Sequence, residues 1–136
     1  MTEVVCDTSV VLKWFHEEGE QEIQEARALL EAHRAGRLAS WILELTFYEL
    51  GNVLLRSLGW RASEVADQLD DLRAICPVLE PAPDALRLAA VLAEKHALTF
   101  YDALYPATAQ LHGAVLATAD EALLASGLGV RAGTLA

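Results

Sequence analysis

Short β-prone apolar runs alternate with longer helix-period segments along the whole chain, and this alternation restricts the fold more than any other feature. Val4-Val5-Cys6 stands directly before the polar Asp7-Thr8-Ser9, the pattern of a buried strand ending in a turn. Further strands are predicted at 38–40, 77–80 and 114–117, with Val130 as an edge strand. Helices are predicted over 10–15, 20–35, 44–58, 61–75, 84–96 and 121–125, and another begins near Tyr101-Asp102. Ala62, Val65, Leu69 and Leu72 form one apolar stripe, and Pro81 and Pro83 flag a helix start. Strands joined by crossover helices give a mainly parallel sheet covered on both faces, a three-layer α/β/α sandwich.

At 136 residues the chain is expected to be one domain, 1–136, and 54% hydrophobic with 22% charged residues excludes disorder. No apolar run approaches the roughly 20 residues that cross a bilayer. Met1-Thr2-Glu3 lacks the basic start of a signal peptide, so the expected location is the cytoplasm. Cys6 and Cys76 read as small buried hydrophobes. Ten Lys and Arg against twenty Asp and Glu give a net charge of −10, which argues against a phosphate-neutralising surface. That objection weakens if several acids share one metal site, because a divalent ion inverts the local charge.

Four acids are placed to do so. Asp7 follows the first strand and Asp120 follows Leu116-Ala117-Thr118-Ala119, where α/β sheets present their sites. Each is equally suited to cap a helix. Glu49 lies in an apolar helical stretch, 42–55, with Asn52 on the same face at i+3. A carboxylate there is paired, protonated or metal-bound; the alternative to a metal is a buried ion pair. Thr99-x-x-Asp102 has the form of a capping box, a role compatible with metal binding. Like charges gathered from two strand ends and two helices imply divalent cations, and hard oxygen donors favour Mg²⁺ or Mn²⁺. Two such ions suit phosphodiester hydrolysis.

Val4-Val5-Cys6-Asp7-Thr8-Ser9-Val10-Val11-Leu12-Lys13-Trp14-Phe15 resembles the opening of a PIN-domain ribonuclease, specifically the VapC-type toxins of toxin–antitoxin pairs. Tyr48-Glu49-Leu50-Gly51-Asn52-Val53-Leu54, Thr99-Phe100-Tyr101-Asp102-Ala103-Leu104-Tyr105 and Leu116-Ala117-Thr118-Ala119-Asp120-Glu121 resemble the remaining motifs in order. The resemblance implies a metal-dependent endoribonuclease with Asp7, Glu49, Asp102 and Asp120 as the acidic positions. It also places Ser9 and Thr118 beside them, orienting carboxylates, water or phosphate, with Asn52 in a similar part. An RNA substrate, a homodimer and a cognate antitoxin whose tail fills a groove near the site are further implications. Pro106 departs from the family pattern: it cannot donate to the Asp102 carbonyl, a cost that shrinks if the helix starts only after Asp102 and otherwise implies a kinked Asp102 backbone.

The rival enzyme is a haloacid-dehalogenase-type phosphatase, which also opens on a strand ending in Asp. It wants a second Asp two residues on, where this chain has Ser9. A non-catalytic RNA- or protein-binding module of the same fold is the rival of another class. His16, His33, His96 and His112 lack metal-ligand spacing and are assigned to the surface or helix ends. Trp14, Trp41 and Trp60 are assigned to packing. Lys13, Arg56 and Arg61 are the basic residues to test for phosphate contact.

Overall fold

The computed structural model describes residues 1–135; the expected domain 1–136 ends one residue later, outside the described residues. Strand β1 (Thr2–Cys6) is central, between β2 (Leu38–Trp41) and β3 (Val115–Ala117), and both pairings are parallel. The register runs from Thr2↔Leu38 to Val5↔Trp41 on one side and from Val4↔Val115 to Cys6↔Ala117 on the other. The runs expected as strands at 77–80 and Val130 contribute a single bridge each, Ile42↔Val78 and Ala117↔Val130. Around the first, Ile42 N–H reaches the Pro77 carbonyl at 3.1 Å and Leu79 N–H reaches the Ile42 carbonyl at 2.7 Å. Pro77 has no N–H to extend the ladder and Pro81 closes the segment, so pairing stops there.

Successive β1 side chains point to opposite faces, and each face is covered by its own helical layer. Val4 and Cys6 pack with α1 (Thr8–Phe15), α2 (Ile23–Arg34), α3 (Glu44–Asn52) and α4 (Ala62–Ile75), through Val11, Leu29, Leu50 and Leu72. Val5 packs the other way, with Tyr105 and Ala109 of α6 (Phe100–His112) and Leu123 of α7 (Glu121–Ala125). The helix α5 (Pro83–His96) lies against α6 through Ala89, Leu92, Ala103 and Ala107. This is the three-layer sandwich that the alternation predicts. Val4, Val5 and Cys6 are wholly buried, and each buried Val contributes about 1.5–3 kcal/mol.

Several helix boundaries differ from expectation, among them the start of α1, at Thr8 instead of Val10. The segment expected as one helix over 44–58 is α3 followed by a π-turn, Val53–Ser57, closed by Leu58 N–H to the Val53 carbonyl at 3.0 Å. A wide turn keeps Leu54 buried while Leu55, Arg56 and Ser57 face solvent, a detail that hydrophobic period does not encode. Helix α2 starts at Ile23, because Glu22 takes a left-handed conformation (φ 56°) that no helix continues. Helix α6 starts at Phe100, so Pro106 lies in its interior and not in a tolerated first turn. The Asp102 carbonyl therefore lacks its helical donor, yet the helix runs on to His112. No helix among the described residues is long and apolar enough to cross a membrane.

Candidate active site

Parallel pairing brings the ends of β1 and β3 side by side. Cys6 is level with Ala117, so the next residues, Asp7 and Thr118, are neighbours, tied by Asp7 N–H to the Ala117 carbonyl at 3.2 Å. Asp7 caps α1 and accepts from Val10 N–H at 3.3 Å. Its two oxygens also accept from hydroxyls: Oδ1 from Ser9 and Oδ2 from Thr118, each at 2.5 Å. Ser9 Oγ in turn accepts from Ala119 N–H at 2.8 Å, and Thr118 Oγ1 from Asp120 N–H at 2.9 Å. These bonds make one rigid junction of the two strand ends. The sequence-predicted partners of Asp7, Ser9 and Thr118, are both in contact with it.

Asp120 caps α7, accepting from Leu123 N–H at 3.0 Å. Asp102 lies in the first turn of α6, where Thr99 Oγ1 accepts the Asp102 N–H at 3.0 Å. Asp7 and Asp120 thus both cap helices, as the sequence allowed, and the capping hydroxyl of α6 holds the Asp102 backbone. Positive helix N-terminal ends favour all three carboxylates.

Electrostatics ties the three aspartates together. Asp7, only 4% exposed, is pushed up to about 6 by burial, against the Ser9, Thr118 and Val10 hydrogen bonds that favour its ionised form, and the Asp120 charge pushes it further up. Burial also raises Asp102, as does the Asp120 charge, while Thr99 opposes the shift. Asp120 is therefore within the electrostatic reach of both. Carboxylates that raise one another's pKa in this way are costly to ionise together, and a bound cation would relieve that cost.

Glu49 comes from the middle of α3 and is half-buried, with no basic partner among the described residues. The buried ion pair considered from sequence is absent. Its Oε1 instead accepts from Thr8 Oγ1 at 2.7 Å and from Tyr105 OH at 2.6 Å. Thr46 Oγ1 lies 3.0 Å from the same phenol and accepts the Leu43 N–H at 3.2 Å. Burial holds the Tyr105 hydroxyl far above its ordinary range, and Glu49 adds to that, so Tyr105 stays a proton donor. Thr8, Thr46 and Tyr105 escaped sequence reasoning. Their signal was helical spacing: Thr46 is i−3 from Glu49, and Tyr105 is i+3 from Asp102.

Asn52 lies at the end of α3, exposed, and the bonds that fix Glu49 come from Thr8 and Tyr105. Among the described residues no three His, Cys, Asp or Glu side chains are gathered closely enough to hold a metal ion as they stand. Lys13 is buried against Glu20 at 3.0 Å, so it is withdrawn from the phosphate contact for which it was a candidate; Arg56 and Arg61 are exposed. All four histidines sit in the last turn or C-cap of a helix. His33 does more than expected of a helix end: its Nδ1 accepts from Ser40 N–H at 3.0 Å and its Nε2 faces the Ile75 carbonyl at 3.0 Å, bridging β2 to α4. Trp14 is buried and donates to the Ala26 carbonyl at 2.9 Å, Trp41 donates to Glu3 at 2.9 Å, and Trp60 packs on the core.

Known proteins share this architecture. Exonuclease VapC9 of Pyrobaculum aerophilum is 40% identical over 91 residues, a match spanning 62% of this chain and 64% of that protein's length. The crystal structure of PAE2754 from Pyrobaculum aerophilum superposes with a TM-score of 0.71 at 31% identity, covering 98% of this chain and 93% of the other. Mycobacterium tuberculosis VapC20, a sarcin-ricin loop cleaving toxin, shares the fold with a TM-score of 0.72 at 19% identity over 94% of this chain and 98% of its own. A chain of a toxin–antitoxin complex from Klebsiella pneumoniae has the same fold. The family model for the PIN domain matches residues 4–126, a span that holds Asp7, Glu49, Asp102 and Asp120, and the chain belongs to the PIN domain family.

Proposed function

We propose that this chain is a metal-dependent endoribonuclease, the toxin of a VapBC-type toxin–antitoxin pair, that hydrolyses RNA phosphodiester bonds at Asp7, Glu49, Asp102 and Asp120. The observation that carries this reading is the buried Asp7 at the β1 end, with both oxygens held by the Ser9 and Thr118 hydroxyls; burial pushes it up to about 6 and also raises Asp102, and the Asp120 charge adds to both. Such a set gains most from a divalent ion, and its all-oxygen donors fit Mg²⁺ or Mn²⁺. Asp7, Asp102, Asp120 and the Oε2 of Glu49 would hold it. When bound, the ion supplies charge neutralisation for the phosphate and a water of lowered pKa. Ser9 and Thr118 orient Asp7 for this task, and Asn52 orients water from the solvent side of α3.

The same reading assigns RNA as substrate, an antitoxin as regulator, a homodimer as assembly, the cytoplasm as location and a single domain over 1–136. Family membership and the VapC9 relative support the nuclease. A groove lined by Trp14, Phe15, Leu30, Arg34 and Ile75 is one candidate seat for an antitoxin tail, although none of the four acids lines it. The phosphatase rival ends with the PIN fold. A non-catalytic binding module is the second reading, favoured by the absence among the described residues of a ready-gathered metal set.

Purified, antitoxin-free chain incubated with labelled structured RNA and Mg²⁺ or Mn²⁺ separates the two. Cleavage that disappears with EDTA and in Asp7→Asn is the expected result. Well-folded protein that cleaves no RNA of a varied panel favours the binding module.

A further inference from the structure

Glu49 is held by one oxygen only, and the hydrogen-bond directions around it are determined. Thr8 and Tyr105 each have a single hydroxyl proton, and both point at Glu49 Oε1, at 2.7 and 2.6 Å. The 3.0 Å approach between these two hydroxyls is then a contact without a proton of its own. Thr46 accepts the Leu43 N–H through its oxygen, so its proton is left for the Tyr105 oxygen, 3.0 Å away. The chain of donors therefore runs from the Leu43 amide to Thr46, to Tyr105, to Glu49. Tyr105 is 2% exposed, Thr46 is wholly buried, and neither reaches solvent. Tyr105 also stands one turn after Asp102 on α6, while Thr8 follows Asp7 directly.

We propose that Tyr105 is a positioning residue of the site: its hydroxyl, itself oriented by Thr46, engages Oε1 of Glu49 and leaves Oε2 as the metal-facing donor, while α6 ties that placement to Asp102. The inference rests on the reading of Glu49 as a metal ligand. Without the phenol, Glu49 keeps only Thr8 as a tether and turns between several orientations, so the ion is bound less tightly and the acids are less well aligned.

Tyr105→Phe keeps the ring and removes only the hydroxyl. Titration of Mn²⁺ by calorimetry, on full-length protein whose fold is checked by thermal melting, is the primary readout. The expected result is a loss of Mn²⁺ affinity by about 10- to 100-fold, with kcat for RNA cleavage reduced and KM little changed. Thr46→Val gives a smaller loss in the same direction, and Tyr105→Phe with Thr46→Val binds Mn²⁺ no worse than Tyr105→Phe alone, because Thr46 acts through the phenol. A lower melting temperature with wild-type Mn²⁺ affinity means that Tyr105 only supports the core, and overturns the proposal. Should Tyr105→Phe not fold, Thr46→Val alone decides: a loss of affinity supports the relay and unchanged affinity refutes it. If wild-type protein takes up no Mn²⁺, the metal reading of Glu49 fails and the proposal falls with it. Uptake equal in wild type and Tyr105→Phe, with a loss in Glu49→Gln, removes the positioning role alone.

Discussion

In the proposed site, Asp7 is the carboxyl group whose environment is most sharply defined. Its pKa of about 6 in the fold stands above the ordinary 3.8, so the folded state holds its proton more tightly than the unfolded chain does. The sign follows: stability is greatest below about 4, where both states are protonated, falls as pH rises towards 6, and stays reduced above it. By the usual conversion this amounts to roughly 3 kcal/mol in metal-free protein. Asp7→Asn retains a good capping side chain and removes the charge. It should therefore melt higher than wild type at pH 8 without metal, with the gap closing as pH approaches 4; a constant gap across that range would count against the assignment. Ser9 works in the opposite direction, since its hydroxyl favours the ionised form of Asp7. In Ser9→Ala the acid limb of the cleavage pH profile should move to higher pH while some activity remains, and a profile unmoved on that side would show that Ser9 does not tune Asp7.

At the scale of elements, the junction of β1 and β3 is where a structural change reaches the chemistry. Val130 bridges to Ala117, and its amide bonds to the Leu116 carbonyl at 2.9 Å, drawing the segment before it against β3. A Cβ on Gly129 would lie 2.7 Å from Thr118 Cγ2 and 3.2 Å from Leu116 Cδ2. Thr118 is β-branched and bonded to Asp7, so it cannot turn aside without releasing that carboxylate. Gly129→Ala is expected to cost about 1–3 kcal/mol as overpacking and to reduce cleavage along with Mn²⁺ affinity. Denaturant melts and metal titration of the same variant check both, and a stable variant with full activity would show that Thr118 is dispensable to Asp7. Helix α6 makes a similar link, since one helix carries Asp102, Tyr105 and Pro106. Its interior proline removes a backbone bond just past Asp102, while the Thr99 cap at 3.0 Å holds the helix start.

For the whole molecule, a net charge of −10 sets the terms on which it would meet the RNA proposed as its substrate. Four of its ten Lys and Arg side chains, those of Lys13, Arg27, Arg73 and Arg131, face glutamates. An acidic site on an acidic protein repels phosphate until cations occupy it. Fluorescence anisotropy with a short labelled RNA should therefore show weak binding in EDTA and stronger binding once Mn²⁺ is added. Tight metal-free binding with a steep salt dependence would mean instead that a basic surface holds the RNA. The ion itself should raise the melting temperature, by an amount equivalent to about 2.7 kcal/mol at a hundredfold excess over its Kd.

Period and punctuation alone determined that this chain builds a parallel α/β/α sandwich, because strands of three to five residues and helices that, α7 apart, run to eight or more leave different spacings of apolar residues. Glu49 and Asp7 stood out as candidates for the same kind of reason: a lone carboxylate in an apolar helix, or directly after an apolar strand, needs a reason to be there. Tertiary structure decided what such local signals do not contain. Register put Thr118 against Asp7, 111 residues away in sequence, and layer packing put Tyr105 against Glu49, 56 residues away. It also turned Lys13 inward to Glu20 and ended the pairing at Val78 and Val130 after one bridge each. Spacing along the chain governs which residues share a face of one element; which faces meet depends on crossover direction and sheet register, and these are settled only when the whole core packs at once.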